Sequence, residues 1–365
     1  MADLEKVMGV EVGDIEKIMG IGAGDTEALQ GFGIPSGPAW QGARGILQGR
    51  SPYSGSGANW TYATNEIIYR TIAAGSGGTT DFGDMDYYGW EGSSVSSGTR
   101  YIYEGGAREN TEYSTNRIEY GTIASTGNGT DFGDLDNQSN WNSSATNGTI
   151  ATVGVGGWSG SYDVKIESIT IANVGNATTQ GDLTVARSAC AGVCSTTMAI
   201  HGGGYGGGTR QDTIDYVPWA SISSDATDFG NLNLAVSTMT AGEDSTRGIW
   251  FGGYRSAEGN PVIKNNIQYI STASTGSAGD FGDTVNIVGS DGGTHRGGAM
   301  CNGTVMEVAG GSGNSVGSDV FSKIIQYITI QSTGNATDLS QDVDSWSSSG
   351  HGVDTARSVQ GCSGN

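Results

Sequence analysis

The sequence predicts an all-β fold: a six-bladed propeller over residues 39–365, preceded by a short helical arm over residues 1–38. Three observations predict it. One hairpin-like segment recurs six times, glycine is far above its usual share, and the two chain ends read as complementary pieces of a single repeat. Of 365 residues, 64 are Gly and only 5 are Pro. The glycines have no three-residue period, which excludes collagen, and the scarcity of Pro excludes a Pro-rich linker protein. Short strands joined by tight turns suit this composition, and a helical bundle does not.

The arm comes first in the chain. "DLEKVMG", "DIEKIMG" and "DTEALQG" begin at Asp3, Asp14 and Asp25, and Gly9, Gly20 and Gly31 close the copies. Asp is a good helix N-cap and Gly the usual residue beyond a helix end. Leu4, Val7 and Met8, then Ile15, Ile18 and Met19, then Leu29 would give each one- to two-turn helix an apolar stripe. Helices this short are unstable alone in water, so they require a surface to dock on: the propeller itself or a partner subunit. Pro35 and Pro38 mark the join.

The repeated segment follows. Its first apolar anchors are Ile67, Ile118, Ile166, Ile214, Ile267 and Ile325, separated by 51, 48, 48, 53 and 58 residues. Thirteen or fourteen residues further on come Asp81, Asp131, Thr179, Asp228, Asp280 and Asp338. Within the segment Ile67 and Tyr69 alternate with Ile68 and Arg70, and Ile118 and Tyr120 with Glu119 and Gly121. That is the period of a strand with one buried face. A turn such as Ser-Thr-Gly-Asn follows, then a second strand carrying Asp-Phe-Gly-Asp. Between hairpins lies another strand pair, marked by the doublets Gly105-Gly106, Gly156-Gly157, Gly202-Gly203, Gly252-Gly253 and Gly310-Gly311. Four strands in about 50 residues is the size of a propeller blade.

The ends complete the count. Residues 43–50, "ARGILQGR", read as the second strand of a blade whose first is missing, and "TARSVQGCSGN" at the C-terminus reads as a first strand whose second is missing. Joining them makes one blade and leaves no open sheet edge.

A Gly doublet ending the second strand, in units near this length, resembles the kelch-like propellers, although the Tyr and Trp spacing of true kelch units is not kept. The Thr-Asp-Phe-Gly-Asp-Leu string, the "TVAR" segment and the following "TRG" are more similar to kelch-like repeat proteins of tailed bacteriophages, notably phages of marine bacteria. The resemblance covers residues 40–365. It implies a virion component that is not an enzyme, made in the host cytoplasm and carried in several copies by the particle. The 11-residue repeats are similar to segments of tailed-phage virion proteins, which implies an attachment arm binding other virion proteins. Host recognition or decoration, a buried adaptor in capsid, neck or tail, and a carbohydrate-active propeller enzyme are the functions to separate.

Several chemistries are weighed against plainer readings. The net charge is −21, from 38 acids against 17 bases, which disfavours nucleic acid. No apolar run is long enough to span a membrane, and the start shows no secretory leader. Asp-x-Gly-Asp could ligate Ca²⁺, but it lacks a dense ligand loop and recurs like a structural element that blunts a sheet edge, so no metal or cofactor is assigned. "HGGGYGGGTR" at 201–210 lacks the Lys-Ser/Thr ending of a phosphate loop. His201, His295 and His351 suggest no triad, and Arg187, Arg296 and Arg357 read as repeated inner-strand residues. The sequons at Asn59, Asn128 and Asn147 would be unused in a phage product. Cys190, Cys194, Cys301 and Cys362 read as small buried residues. The binding candidates are aromatic. Tyr53, Trp158, Tyr205 and Tyr254 follow second strands, and Trp90, Trp141 and Trp346 lie between blades. Both sets emerge on one face, as a ring able to stack on a host-surface glycan or grip a protein, or else as plugs of the blade junctions.

Overall fold

The computed structural model describes residues 6–7, 10–11, 41–49, 65–72, 78–87, 89–108, 114–158, 161–257, 260–286, 293–315, 318–343 and 360–364. The chain divides into two compact units, Met1–Ser36 and Gly37–Asn365. In the first, Lys6–Val7 pairs antiparallel with Val10–Glu11, matching Lys6 to Glu11 and Val7 to Val10. The sequence places a helix there. One or two turns cannot repay the cost of helix nucleation, whereas a two-residue link lets these residues pair locally. The other arm residues singled out, Leu4, Met8, Ile15, Ile18, Met19 and Leu29, lie outside the described residues.

The second unit is all-β and propeller-like. Four of its sheets are four-stranded and antiparallel, and each runs in order from an inner strand to an outer one. One comprises Ala191–Cys194, Met198–Gly202, Thr213–Pro218 and Thr227–Asn231. The next comprises Thr240–Glu243, Arg247–Phe251, Asn266–Ser271 and Gly279–Asp283. A third comprises Gly298–Cys301, Val305–Ala309, Ile324–Thr329 and Thr337–Asp342. The fourth joins the two ends of the unit: Gln360–Gly364 is its inner strand, followed by Arg44–Gln48, Glu66–Thr71 and Thr80–Asp84. Arg44 pairs with Gly364, Ile46 with Cys362 and Gln48 with Gln360, so the tail supplies the strand that the head lacks.

A seven-stranded sheet holds Ser93–Ser96, Arg100–Glu104, Thr115–Thr122, Thr130–Thr146, Ile150–Trp158, Asp163–Thr170 and Thr178–Arg187. Its 17-residue strand Thr130–Thr146 does two jobs. The first part pairs with Thr115–Thr122, setting Ile118 opposite Gly133, and the second part pairs with Ile150–Trp158, setting Thr146 opposite Ala151. Inner strands neighbour one another in a closed cycle: Ser93–Ser96, the end of Thr130–Thr146, Ala191–Cys194, Thr240–Glu243, Gly298–Cys301, Gln360–Gly364, and back to Ser93–Ser96.

The core lies between neighbouring sheets. Ile46, Ile67, Phe82, Tyr101, Tyr103, Ile123 and Cys362 form one such cluster, and Ile249, Phe251, Ile267, Phe281, Met306 and Ile328 another. All six anchors, Ile67, Ile118, Ile166, Ile214, Ile267 and Ile325, are fully buried. The expectation of one buried face per strand needs correction. Ile68, Arg70, Glu119, Glu167, Asp215, Gln268 and Gln326 point away from the anchors and are buried too, because a second sheet packs on that side.

Those buried polar residues are latches. The residue after the anchor accepts a backbone N–H from the preceding outer segment: Glu119 Oε2 from Asp86 at 2.9 Å, Glu167 Oε2 from Asp136 at 2.7 Å, Gln268 Oε1 from Leu234 at 2.9 Å and Gln326 Oε1 from Val285 at 2.7 Å. At the seam with the closing sheet Ile68 takes this place and packs in an apolar cluster with Leu339 and Val343.

The Asp-Phe-Gly-Asp string is a second joint. Ile67 pairs with Gly83 and Ile68 with Asp81, so Phe82 is the extra residue of a β-bulge and drops into the core. Gly83 has φ +147°, and a Cβ there would sit 2.5 Å from the Gly127 carbonyl oxygen. That close approach is the joint itself: Gly127 N donates to Phe82 O at 2.8 Å, and Asp84 N donates to Asn128 Oδ1 at 3.1 Å. Gly175 does the same to Phe132, Gly276 to Phe229 and Gly334 to Phe281, each at 2.8 Å. The acids were expected to blunt an open edge. Asp81, Asp131 and Asp228 are indeed exposed, but this stretch of edge is covered by the turn of the next repeat.

Candidate functional site

Residues that lead into the inner ends of the sheets meet around the axis. Glu91, Trp141, Ala189, Thr238 and Arg296 occupy equivalent places and all adopt positive φ, between 53° and 62°. A non-glycine residue in this region costs about 1–2 kcal/mol. The conformation is held by a chain of backbone hydrogen bonds from repeat to repeat: Trp141 N to Glu91 O at 2.7 Å, Ala189 N to Trp141 O at 2.6 Å, Thr238 N to Ala189 O at 2.9 Å and Arg296 N to Thr238 O at 3.0 Å. Side chains then close the mouth. Arg296 Nη1 lies 3.3 Å from Glu91 Oε1, and its guanidinium lies 5.7 Å from the centre of the Trp141 ring.

Beneath this mouth is a cavity of about 100 Å³, whose lining includes Ser93, Ser143, Ser144, Ala191 and Thr240. A second cavity of about 70 Å³, nearer the other end, is lined by Ser96, Thr146, Glu243, Cys301 and Gln41 among others. Gln41 lies across that end, its Nε2 donating to Glu243 O at 2.8 Å and to Glu243 Oε1 at 3.2 Å. The lining thus offers small hydroxyl, methyl, thiol and backbone groups between the Arg296–Glu91 ion pair at one end and the Gln41 amide with the Glu243 carboxylate at the other.

Ionisable groups behind this wall are locked in place. Arg187 and Asp215 form a 2.7 Å ion pair with both side chains fully buried, and Arg187 Nη2 also donates to His201 O at 3.1 Å. Burial, then the Arg187 charge, push His201 down to about 3, so its imidazole is neutral. Thr152 Oγ1 donates to Ala145 O, so it accepts from His201 Nε2, and Nδ1 is left to accept the Ser143 hydroxyl at 2.8 Å. A Ser–His pair results, but Thr152 rather than a carboxylate holds the far nitrogen, and Ser143 is almost wholly buried. Arg70 and Glu307 form a second fully buried pair at 2.9 Å. Arg187 sits at the end of an outer strand, and Arg296 belongs to the mouth, so the expected set of equivalent inner-strand arginines is corrected; Arg357 lies outside the described residues.

The aromatic candidates separate. Trp90 is 3% exposed and packs on Ala107, which plugs its own junction. Trp141 belongs to the mouth. Trp158 ends its strand opposite Asn140, while Tyr53 and Trp346 lie outside the described residues. Tyr205 and Tyr254 are half-buried and come together through a residue the sequence reading passed over: the Arg210 guanidinium lies 4.5 Å from the centre of each ring. Tyr162 extends the row, 5.5 Å from Tyr205, and His295 ends it, 5.7 Å from Tyr254. The glycine run builds this feature. Tyr205–Gly206 and Thr209–Arg210 form a hairpin closed by Gly207 and Gly208, both at positive φ, which returns Arg210 beside Tyr205. An Arg closing a Gly-rich hairpin was the available signal.

Among the described residues no cluster of three or more His, Cys, Asp or Glu is placed to hold a metal, and no helix is long and apolar enough to cross a membrane. No family model matches the chain, and no curated protein matches it.

Proposed function

We propose that this chain is a structural protein of a tailed-phage particle. A six-bladed propeller is displayed on the particle, the N-terminal arm attaches it to other virion proteins, and the loop face meets the host surface or decorates the shell. The blade count follows from reading the seven-stranded sheet as two blades fused through Thr130–Thr146, added to the four separate sheets.

The observation that carries the display reading is how repetition is divided. Residues that recur from repeat to repeat are spent on joints: the Phe-Gly bulges, the Glu and Gln latches and the turns that clasp them. Loops on one face diverge instead. Tyr205–Arg210 is a tight Gly hairpin, Tyr254–Ala257 pairs with Asn260–Ile263, and Ser312–Ser315 pairs with Ser318–Phe321. A rigid scaffold carrying varied loops on one side is the architecture of a recognition surface. The resemblance of the repeat and of the arm to tailed-phage proteins supplies the setting.

Deleting residues 1–34 tests the reading. The truncated chain should fold with unchanged strand content by circular dichroism, yet be missing from purified particles by mass spectrometry. Normal incorporation of the truncated chain would refute the anchoring role.

A further inference from the structure

The two ends of the propeller axis are not equivalent, and the chain itself marks which is which. Outside the closing sheet, each inner strand is joined to the next strand at one end, by turns such as Ser195–Thr197 and Asp244–Thr246. The divergent hairpins and the positive-φ mouth lie at the opposite end. Gln41 lies three residues before Arg44, where the strand Arg44–Gln48 begins at the turn end. Its side chain reaches the last residue of another sheet's inner strand, Glu243, and helps line the axial cavity there. The first described residue of this unit, Gln41, therefore lies at the turn end with its side chain against the axial cavity.

We infer that the turn face is the face held against the particle and that the hairpin face, with Tyr162, Tyr205, Arg210 and Tyr254, is turned away from it. The inference rests on the virion reading above and adds a polarity to it. The arm precedes Gln41 in the chain, so the turn end is the end nearer to it in sequence. The full length of the strands separates Gln41 from the hairpins.

Single cysteines test the polarity on full-length protein in assembled particles. The native cysteines are all buried, so background labelling by a maleimide–biotin reagent is low. Thr196→Cys and Thr99→Cys place an exposed thiol at the turn face; Thr209→Cys and Asn265→Cys place one at the hairpin face. In the free protein all four should label alike, which checks folding and exposure. On intact particles the hairpin-face pair should label at least tenfold more than the turn-face pair. Equal labelling, or the reverse order, would overturn the inference while leaving incorporation intact. Mass spectrometry of the same particles is the separate check. If the protein is absent from them, the virion reading fails and the polarity falls with it.

Discussion

Replacing Glu119 by Gln should make the protein less sensitive to alkaline pH. Glu119 is 1% exposed, and one of its oxygens accepts the Asp86 N–H at a seam between sheets. Burial first, with the Asp86 charge adding to it, raises its pKa to about 8 against opposing help from the Asp86 N–H and Arg117. In the unfolded chain the same carboxyl titrates near 4.3. The folded state therefore prefers the neutral acid. Its contribution is fully present below about pH 4.3 and is lost progressively as pH rises to about 8. A shift of three to four units corresponds to about 4–5 kcal/mol across that window, an upper figure because water can enter the seam. Gln is neutral at every pH and already performs this job at two sister seams, through Gln268 and Gln326. Urea denaturation followed by tryptophan fluorescence, at intervals from pH 5 to 9, reads the effect. The wild type should lose stability with rising pH, and E119Q should lose less, the gap widening to several kcal/mol by pH 8.5. Parallel pH profiles for the two proteins would refute the reasoning, since Glu104 and Glu167, which are also raised by burial, contribute equally to both.

Two further substitutions test the joints by denaturant midpoint. Asp215→Ala leaves Arg187 charged and buried without its partner at 2.7 Å, so it should cost about 3–5 kcal/mol, and a change under 1 kcal/mol would show that the pair does not hold its seam. Arg100→Ala removes a guanidinium that lies 4.3 Å from the centre of the Tyr120 ring and donates to Ile171 O at 2.7 Å across a seam. About 1–3 kcal/mol should be lost, and much less would mean that the Arg is not a staple between repeats.

The strands were legible because their signal is periodic and repeated. Ile67 through Ile325 mark one strand in each unit, the Gly doublets mark another, and the two half-repeats at the ends of the unit pair as Ile46 with Cys362. The joints were less legible. Period-two reading gives Glu119 and Asp215 to solvent, since a strand does not announce that a second sheet will pack on its polar side. The five residues at the axial mouth share no chemistry, because backbone groups make their ring and any side chain can occupy it. Nor does composition mark Thr130–Thr146 as one continuous strand, for its Asp-Phe-Gly-Asp start looks like that of the short outer strands Thr80–Asp84 and Gly279–Asp283. Arg210 was missed because only the hairpin fold brings it between Tyr205 and Tyr254.

The propeller closes only if the tail strand pairs with the head strand. Ile46 and Cys362 are register partners within one buried cluster, so the single change Ile46→Cys creates a thiol opposite a native one. After oxidation and protease digestion, mass spectrometry should recover the residue-46 peptide disulfide-linked to the residue-362 peptide, from monomeric protein only. Recovery of both peptides unlinked from folded monomer, or linked only between separate chains, would contradict the closure.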